Sequence, residues 1–178
     1  MDITYSKKDG FKVATKHFSG VLDPTENPSK LKDLVLLSTG LDQAKPEGTV
    51  FDSPGEYEVQ GCMIDGIDLG DGKTGYALEV DGLRTGYIPA GVESLNDKQI
   101  EVYDSLDILI LPVVGEKAEA TNKIIGQFEP RVIIPYDYDS KQFELLGAEF
   151  GGEVQKTERF KVNAKDLDVE KQVLVAIK

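Results

Sequence analysis

Few residues in this 178-residue chain are of types that do chemistry unaided, and it holds one histidine, His17, and one cysteine, Cys62. A nucleophilic serine needs a base within hydrogen-bond reach. Ser53, in Asp52-Ser-Pro-Gly-Glu-Tyr57, has acids beside it but no histidine, and reads as part of a Pro-Gly turn. Cys62 has no nearby His, Lys or Arg to stabilise a thiolate and reads as a small buried hydrophobe. His17 sits in a polar stretch before Phe18 and is expected at the surface or on a strand, with no catalytic role. The run Gly70-Asp-Gly-Lys-Thr74 lacks the first glycine of a phosphate loop and precedes a strand where such a loop must precede a helix. Asp68 and Asp71 also miss the alternate-residue spacing of a calcium loop, and no glutamate holds its closing position. No catalytic residue is expected.

The elements that would position any site form one domain, residues 1–178, of a size that buries about two thirds of the surface its unfolded form exposes. Acidic residues outnumber basic ones 32 to 20, a formal charge of −12. Such a surface repels phosphate backbones and anionic lipid, so neither nucleic acid nor membrane is an expected partner. The opening Met-Asp-Ile-Thr-Tyr-Ser-Lys-Lys has no apolar signal core, and the longest apolar runs, such as Ile108 to Val114, are too short to span a bilayer. A cytoplasmic location is expected, compatible with the single cysteine.

The first half is punctuated into short strands at Phe11–Thr15, Asp33–Ser38, Glu56–Gln60, Cys62–Ile67, Gly75–Val80 and Leu83–Ile88. Asp71-Gly72 and Asp81-Gly82 suit hairpin turns that need positive φ, making Cys62–Ile88 three successive antiparallel strands. Beyond it the rhythm changes. A helix-like stretch Asn96–Leu106 precedes a buried strand Asp107–Pro112, a helix Glu116–Phe128, a second buried strand Arg131–Pro135, and a helix Ser140–Leu146 with Ser140 as N-cap. Alternating strands and helices imply parallel pairing at the sheet centre. The tail adds strands near Glu158–Val162 and Gln172–Ile177, with a turn or short helix at Asn163–Leu167. Strands first and alternation later suit an α/β (α+β) fold with two sheets packed face to face and helices outside.

Against that framework Val50-Phe-Asp-Ser-Pro-Gly-Glu-Tyr-Glu-Val-Gln-Gly-Cys-Met-Ile-Asp-Gly-Ile67 resembles a signature of metallo-β-lactamase-fold proteins of the ascorbate-6-phosphate lactonase-like branch. Val80-Asp-Gly-Leu-Arg84, Ser105-Leu-Asp-Ile-Leu-Ile-Leu-Pro-Val-Val-Gly115 and Glu129-Pro-Arg-Val-Ile-Ile-Pro-Tyr-Asp-Tyr138 follow in that family's order and spacing. The resemblance implies a four-layer αββα sandwich with a metal site along one edge of the paired sheets. Active members carry His-x-His-x-Asp-His after an apolar strand, where this chain has Ser38-Thr-Gly-Leu-Asp-Gln43. The family's ligand positions thus fall on Ser38, Gly40, Asp42 and Gln43, on Tyr87 or its neighbours in Gly86–Gly91, and on Asp137 after the second buried strand. Tyr5-Ser-Lys-Lys-Asp-Gly10 stands where the family has Gly-His-Ser.

Zinc in hydrolases is held mainly by imidazoles and keeps an open position for an acidified water. One histidine cannot supply that set, so no zinc is expected. The leading expectation is a catalytically degenerate scaffold for binding or assembly, with a homo-oligomer implied by the resemblance and the protein or small-molecule partner unnamed. The alternative is a hydrolase of a small ester, lactone or phosphoester. It would use a weakly held Mg²⁺, Ca²⁺ or Mn²⁺ on Asp42 and Asp137, joined by Asp139 and Asp52. Against it stands the plainer reading of these carboxylates as a turn cap and solvated loop residues. A pocket built from Tyr87, Tyr136 and Tyr138 is a third possibility, weighed against tyrosines that merely pack at strand ends.

Overall fold

The computed structural model describes residues 1–25, 34–39, 48–116, 118–150, 153–167 and 171–178. The candidate positions Gly40, Asp42 and Gln43, and the predicted strand start Asp33, lie outside them.

The strands are β1 (Asp2–Ser6), β2 (Gly10–Ala14), β3 (Ser19–Leu22), β4 (Leu34–Leu36), β5 (Val50–Phe51), β6 (Gly55–Val59), β7 (Cys62–Gly70), β8 (Lys73–Val80), β9 (Leu83–Tyr87), β10 (Ile108–Pro112), β11 (Val132–Tyr136), β12 (Glu153–Thr157), β13 (Phe160–Lys161) and β14 (Val173–Ile177). The helices are α1 (Asp97–Val102), α2 (Glu119–Phe128) and α3 (Ser140–Phe150), with a 3-10 turn at Ala164–Asp166. One sheet runs β13-β1-β2-β3-β4-β5 and the other β12-β14-β11-β10-β9-β8-β7-β6.

The larger sheet grows from its hairpins. Asp71-Gly72 (φ 52° and 69°) and Asp81-Gly82 (φ 53° and 72°) adopt the left-handed conformations that two-residue turns need. β7, β8 and β9 are accordingly antiparallel, as predicted. Next, β9, β10, β11 and β14 pair in parallel, which requires the helical crossovers between them. Because side chains alternate, β10 and β11 are buried on both faces. Ile108, Ile110, Val132 and Ile134 point into the core shared with Ile3, Phe11, Val13, Leu22 and Leu36 of the smaller sheet. Leu109, Leu111 and Ile133 point to the opposite side, where Tyr103, Ile124, Phe143 and Leu146 cover them. The result is a face-to-face sandwich with α1, α2 and α3 outside the larger sheet; no helix among the described residues covers the smaller one.

Several boundaries differ from the sequence reading. α1 is short because Ser105 turns left-handed at φ 59°, and α2 begins at Glu119 because Ala118 does the same at φ 58°. The N-cap of α3 is Asp139, not Ser140: its Oδ1 accepts the Gln142 backbone N–H at 2.8 Å, while its own N–H donates to the Gln142 side chain at 2.9 Å. β1, β3, β5 and β12 were not anticipated. β1 carries one wholly buried apolar residue, Ile3, and β12 is a mostly polar edge strand held by pairing with β14. No helix among the described residues is long and apolar enough to cross a membrane.

Candidate functional site

At one end of the sandwich the chain exits β1, β3, β4, β9 and β11 in close proximity, and two adjoining hollows open there. One, of about 370 Å³, is lined among others by Gly10, Asp23, Ser38, Tyr87, Ala90 and Asp137. The other, of about 620 Å³, is lined by Tyr5, Phe11, Ile134, Tyr136, Asp137 and Tyr138 among others. Tyr5, Lys7, Phe11, Tyr136 and Asp137 border both, so they are two lobes of one cleft. The cleft thereby brings together two candidate positions far apart in the chain, Ser38 and Asp137.

Aromatic rings form its floor. Tyr5 stacks on Phe11 with centroids 4.3 Å apart, Phe11 meets Tyr136 edge-on at 5.4 Å, and Tyr136 lies parallel to Tyr87 at 6.0 Å. Gly10 admits this packing: its φ is 70°, and a Cβ there would run into the Leu22 carbonyl.

The polar centre is Asp23, on the turn after β3. One carboxylate oxygen accepts the Tyr87 hydroxyl at 2.7 Å and the other accepts the Ser38 backbone N–H at 2.6 Å. A single carboxylate therefore clasps the ends of β3 and β4 in one sheet to the end of β9 in the other. Further phenols extend the clasp: Tyr136 donates to the Ile88 carbonyl at 2.9 Å, Tyr103 to the Tyr87 carbonyl at 2.7 Å, and Tyr76 to the Leu37 carbonyl at 2.7 Å. Burial, reinforced by repulsion from Tyr136 and Asp23, holds the Tyr87 phenol well above its ordinary pKa. Tyr136 is raised by burial, and Tyr5 by burial and then by Asp137. The phenols of the cleft are consequently neutral near pH 7 and serve as hydrogen-bond donors rather than as bases.

Asp137 is exposed at the mouth, with φ 52°, and receives no hydrogen bond from any described residue. Asp139 is also exposed, but its carboxylate caps α3. Asp52 is exposed and outside both lobes. Tyr138 lines the larger lobe and stacks on Phe143 at 4.9 Å. Among the described residues no three of His, Cys, Asp or Glu are grouped as a metal would need. His17 is exposed in the turn joining β2 to β3, roughly 13 Å of strand from the cleft end of that hairpin. Cys62 is fully buried, its thiol pushed up to about 12 by desolvation.

Sequence reasoning missed Asp23, whose available signal was an Asp-Pro pair directly after the apolar Val21-Leu22; Tyr5 entered only within the segment that stands where the family has Gly-His-Ser, with no role of its own.

A search of curated proteins finds no match to the sequence. Among solved structures, a Thermotoga maritima protein assigned as a Zn-dependent hydrolase of the metallo-β-lactamase superfamily is similar over 100% of both chains, at 22% identity and a TM-score of 0.81. A Parabacteroides distasonis protein assigned as a metal-dependent hydrolase covers 97% of this chain and 91% of its own, at 17% identity and a TM-score of 0.63. The metallo-β-lactamase fold protein YhfI of Bacillus subtilis covers 99% and 96%, at 9% identity and a TM-score of 0.64. At these identities the likeness is one of fold. The family profile of the beta-lactamase superfamily domain matches residues 2–137, and with it the chain belongs to the metallo-β-lactamase superfamily.

Proposed function

We propose that this protein is a catalytically degenerate metallo-β-lactamase-fold protein, a pseudo-hydrolase of the ascorbate-6-phosphate lactonase-like branch, whose edge cleft binds a ligand without hydrolysing it. The observation that carries this reading is the engagement of Asp23. Its carboxylate, the most enclosed acid of the cleft, is occupied on both oxygens by Tyr87 and the Ser38 backbone, and the floor beside it is phenol and phenyl.

The donor chemistry agrees. A hydrolytic zinc is held chiefly by imidazole nitrogens. The chain's only histidine is at the opposite end of the β2–β3 hairpin and its only cysteine is sealed in the core, so the residues do not fit such a zinc. The Thermotoga neighbour's assignment as a Zn-dependent hydrolase therefore does not transfer. A carboxylate-only site for Mg²⁺, Ca²⁺ or Mn²⁺ would need Asp137 joined by other acids. Asp139 borders the cleft with one oxygen given to its helix and Asp52 lines neither lobe, leaving Asp42 as the remaining carboxylate of that set.

Elemental mass spectrometry on protein purified without chelator, paired with thermal-shift scans against Zn²⁺, Mn²⁺, Mg²⁺ and Ca²⁺, tests this. Any ion binding the native state must raise the melting temperature. The expected outcome is no stoichiometric metal and no shift. A copurifying metal lost in Asp137→Ala would instead establish a rebuilt metal centre.

A further inference from the structure

Resting on the reading that the cleft binds without hydrolysis, we propose that its ligand is a small zwitterion, an α-amino acid with an aromatic or bulky apolar side chain. The cleft offers an apolar body site and opposite charges at its mouth, Lys7 and Asp137 on both lobes with Asp139 and Lys178 on the larger one alone, and among the described residues Lys7 and Asp137 pair with no other side chain.

The body site comes first. Tyr5, Phe11, Tyr136, Ile134 and Ile177 line the larger lobe, whose volume of about 620 Å³ lies within the range of small-molecule pockets, roughly 300–1,000 Å³. Neutral phenol and phenyl rings present faces on which a flat or branched apolar group stacks.

The charges come from opposite sheets. Lys7 follows β1 in the smaller sheet, and Asp137 follows β11 in the larger; both border both lobes. They form no ion pair with one another, and among the described residues neither finds another charged or hydrogen-bonding side-chain partner. A ligand bearing its own ammonium and carboxylate satisfies both walls at once. Its ammonium meets Asp137 beside the faces of Tyr5 and Tyr136, where cation–π attraction adds to the ion pair, and its carboxylate meets Lys7. The hydroxyls of Tyr5 and Tyr138 have no described hydrogen-bond partner and supply further polar contacts at the same mouth. Asp139 and Lys178 also border the larger lobe and add one charge of each sign, Asp139 using its Oδ1 to cap α3. A purely cationic ligand would leave Lys7 as a repulsive neighbour, and a purely anionic one would face Asp137.

The test is calorimetric titration of the metal-free protein with L-phenylalanine, 2-phenylethylamine and 3-phenylpropionate, which share a body and differ in charge. Phenylalanine is expected to bind at least tenfold tighter than either truncated analogue. Asp137→Asn, whose side chain tolerates the same left-handed backbone, should weaken phenylalanine about tenfold and leave phenylpropionate no weaker. Lys7→Ala should do the converse, sparing phenylethylamine. Equal binding of phenylalanine and phenylethylamine would make the ligand a cation and overturn the proposal, as would no heat from all three. Elemental analysis of the same sample separates the two failures: a metal-free protein that ignores all three probes refutes the ligand class alone, whereas a stoichiometric metal refutes the binding reading beneath it.

Discussion

Replacing Asp23 with Asn tests the clasp at the cleft. Asn matches Asp in size but offers one acceptor oxygen where the clasp needs two, and its amide nitrogen would face a donor. The amide can donate to the Tyr87 oxygen, but either the Tyr87 O–H proton or the Ser38 N–H then loses its acceptor, and the bond that remains loses its charged partner. A hydrogen bond to a charged group contributes about 1.5–3 kcal/mol, and an orphaned buried donor costs about 1–3 kcal/mol. Tyr87 is 3% exposed, so water cannot readily replace Asp23, whereas the Asp23 turn is half-buried and relaxes in part. The expected loss is about 2–3 kcal/mol, which at this chain length lowers Tm by roughly 6–9 °C. Urea unfolding followed by circular dichroism measures it, with Tyr87→Phe and the double variant completing a cycle. The coupling between the two positions should be about 1–2 kcal/mol, since each single change removes the same bond. An Asp23→Asn variant whose stability stayed within about 0.5 kcal/mol of the parent, the ordinary scatter of a neutral surface change, would mean that the carboxylate does not hold the sheets together.

Three further outcomes follow from the same geometry. Tyr76, Tyr87, Tyr103 and Tyr136 all have phenols raised by burial, so the unfolded chain ionises first as pH rises past about 10. Their contribution is complete below that pH and is lost above it, at about 1.4 kcal/mol per pH unit for each; stability at pH 11 should be roughly 6 kcal/mol lower, and the tyrosinate absorbance of these four should appear together with unfolding. Gly75→Ala would drive a Cβ into the Tyr103 hydroxyl beside the Tyr87 carbonyl it serves, costing about 3 kcal/mol from overpacking and a lost hydrogen bond; an unchanged urea midpoint would contradict this. Cys62, fully buried with its thiol raised to about 12, should react with a disulfide reagent only at the rate of global unfolding, and prompt labelling in native buffer would refute its place in the core.

How much of this was legible beforehand depended on the range of the interaction. The hairpins at Asp71-Gly72 and Asp81-Gly82 are set by local backbone preference, and the doubly buried β10 and β11 by continuous apolar runs; both were read from sequence. β1 and β12 were not, because Asp-Ile-Thr-Tyr-Ser and Glu-Val-Gln-Lys-Thr owe their strand form to neighbours rather than to their own residues. At the site, Ser38 and Asp137 were named only through family likeness, and the structure places both on one cleft. Asp23 was invisible because its meaning lies in Tyr87, 64 residues away. Of the four tyrosines at this end, Tyr87, Tyr136 and Tyr138 were read as a possible pocket, and Tyr5 was named only as part of the segment standing where the family has Gly-His-Ser. Neither reading of Asp139, as a metal ligand or as a solvated loop residue, included its place as the cap of a helix.

The clasp also has a meaning for folding. β6 through β9 are joined by short turns and can pair as soon as they are made, since local contacts close quickly. The cleft has no such local origin: its walls come from residues 5–7, 10–11, 22–23, 25, 38–39, 87, 90, 134–139 and 177–178, and exist only once the two sheets have met. A chain stalled with its hairpins formed would show β structure by spectroscopy while having no binding site. Occupancy of the cleft is thus a reporter of the finished fold, and a ligand found for it would act as a pharmacological chaperone for the last step of assembly.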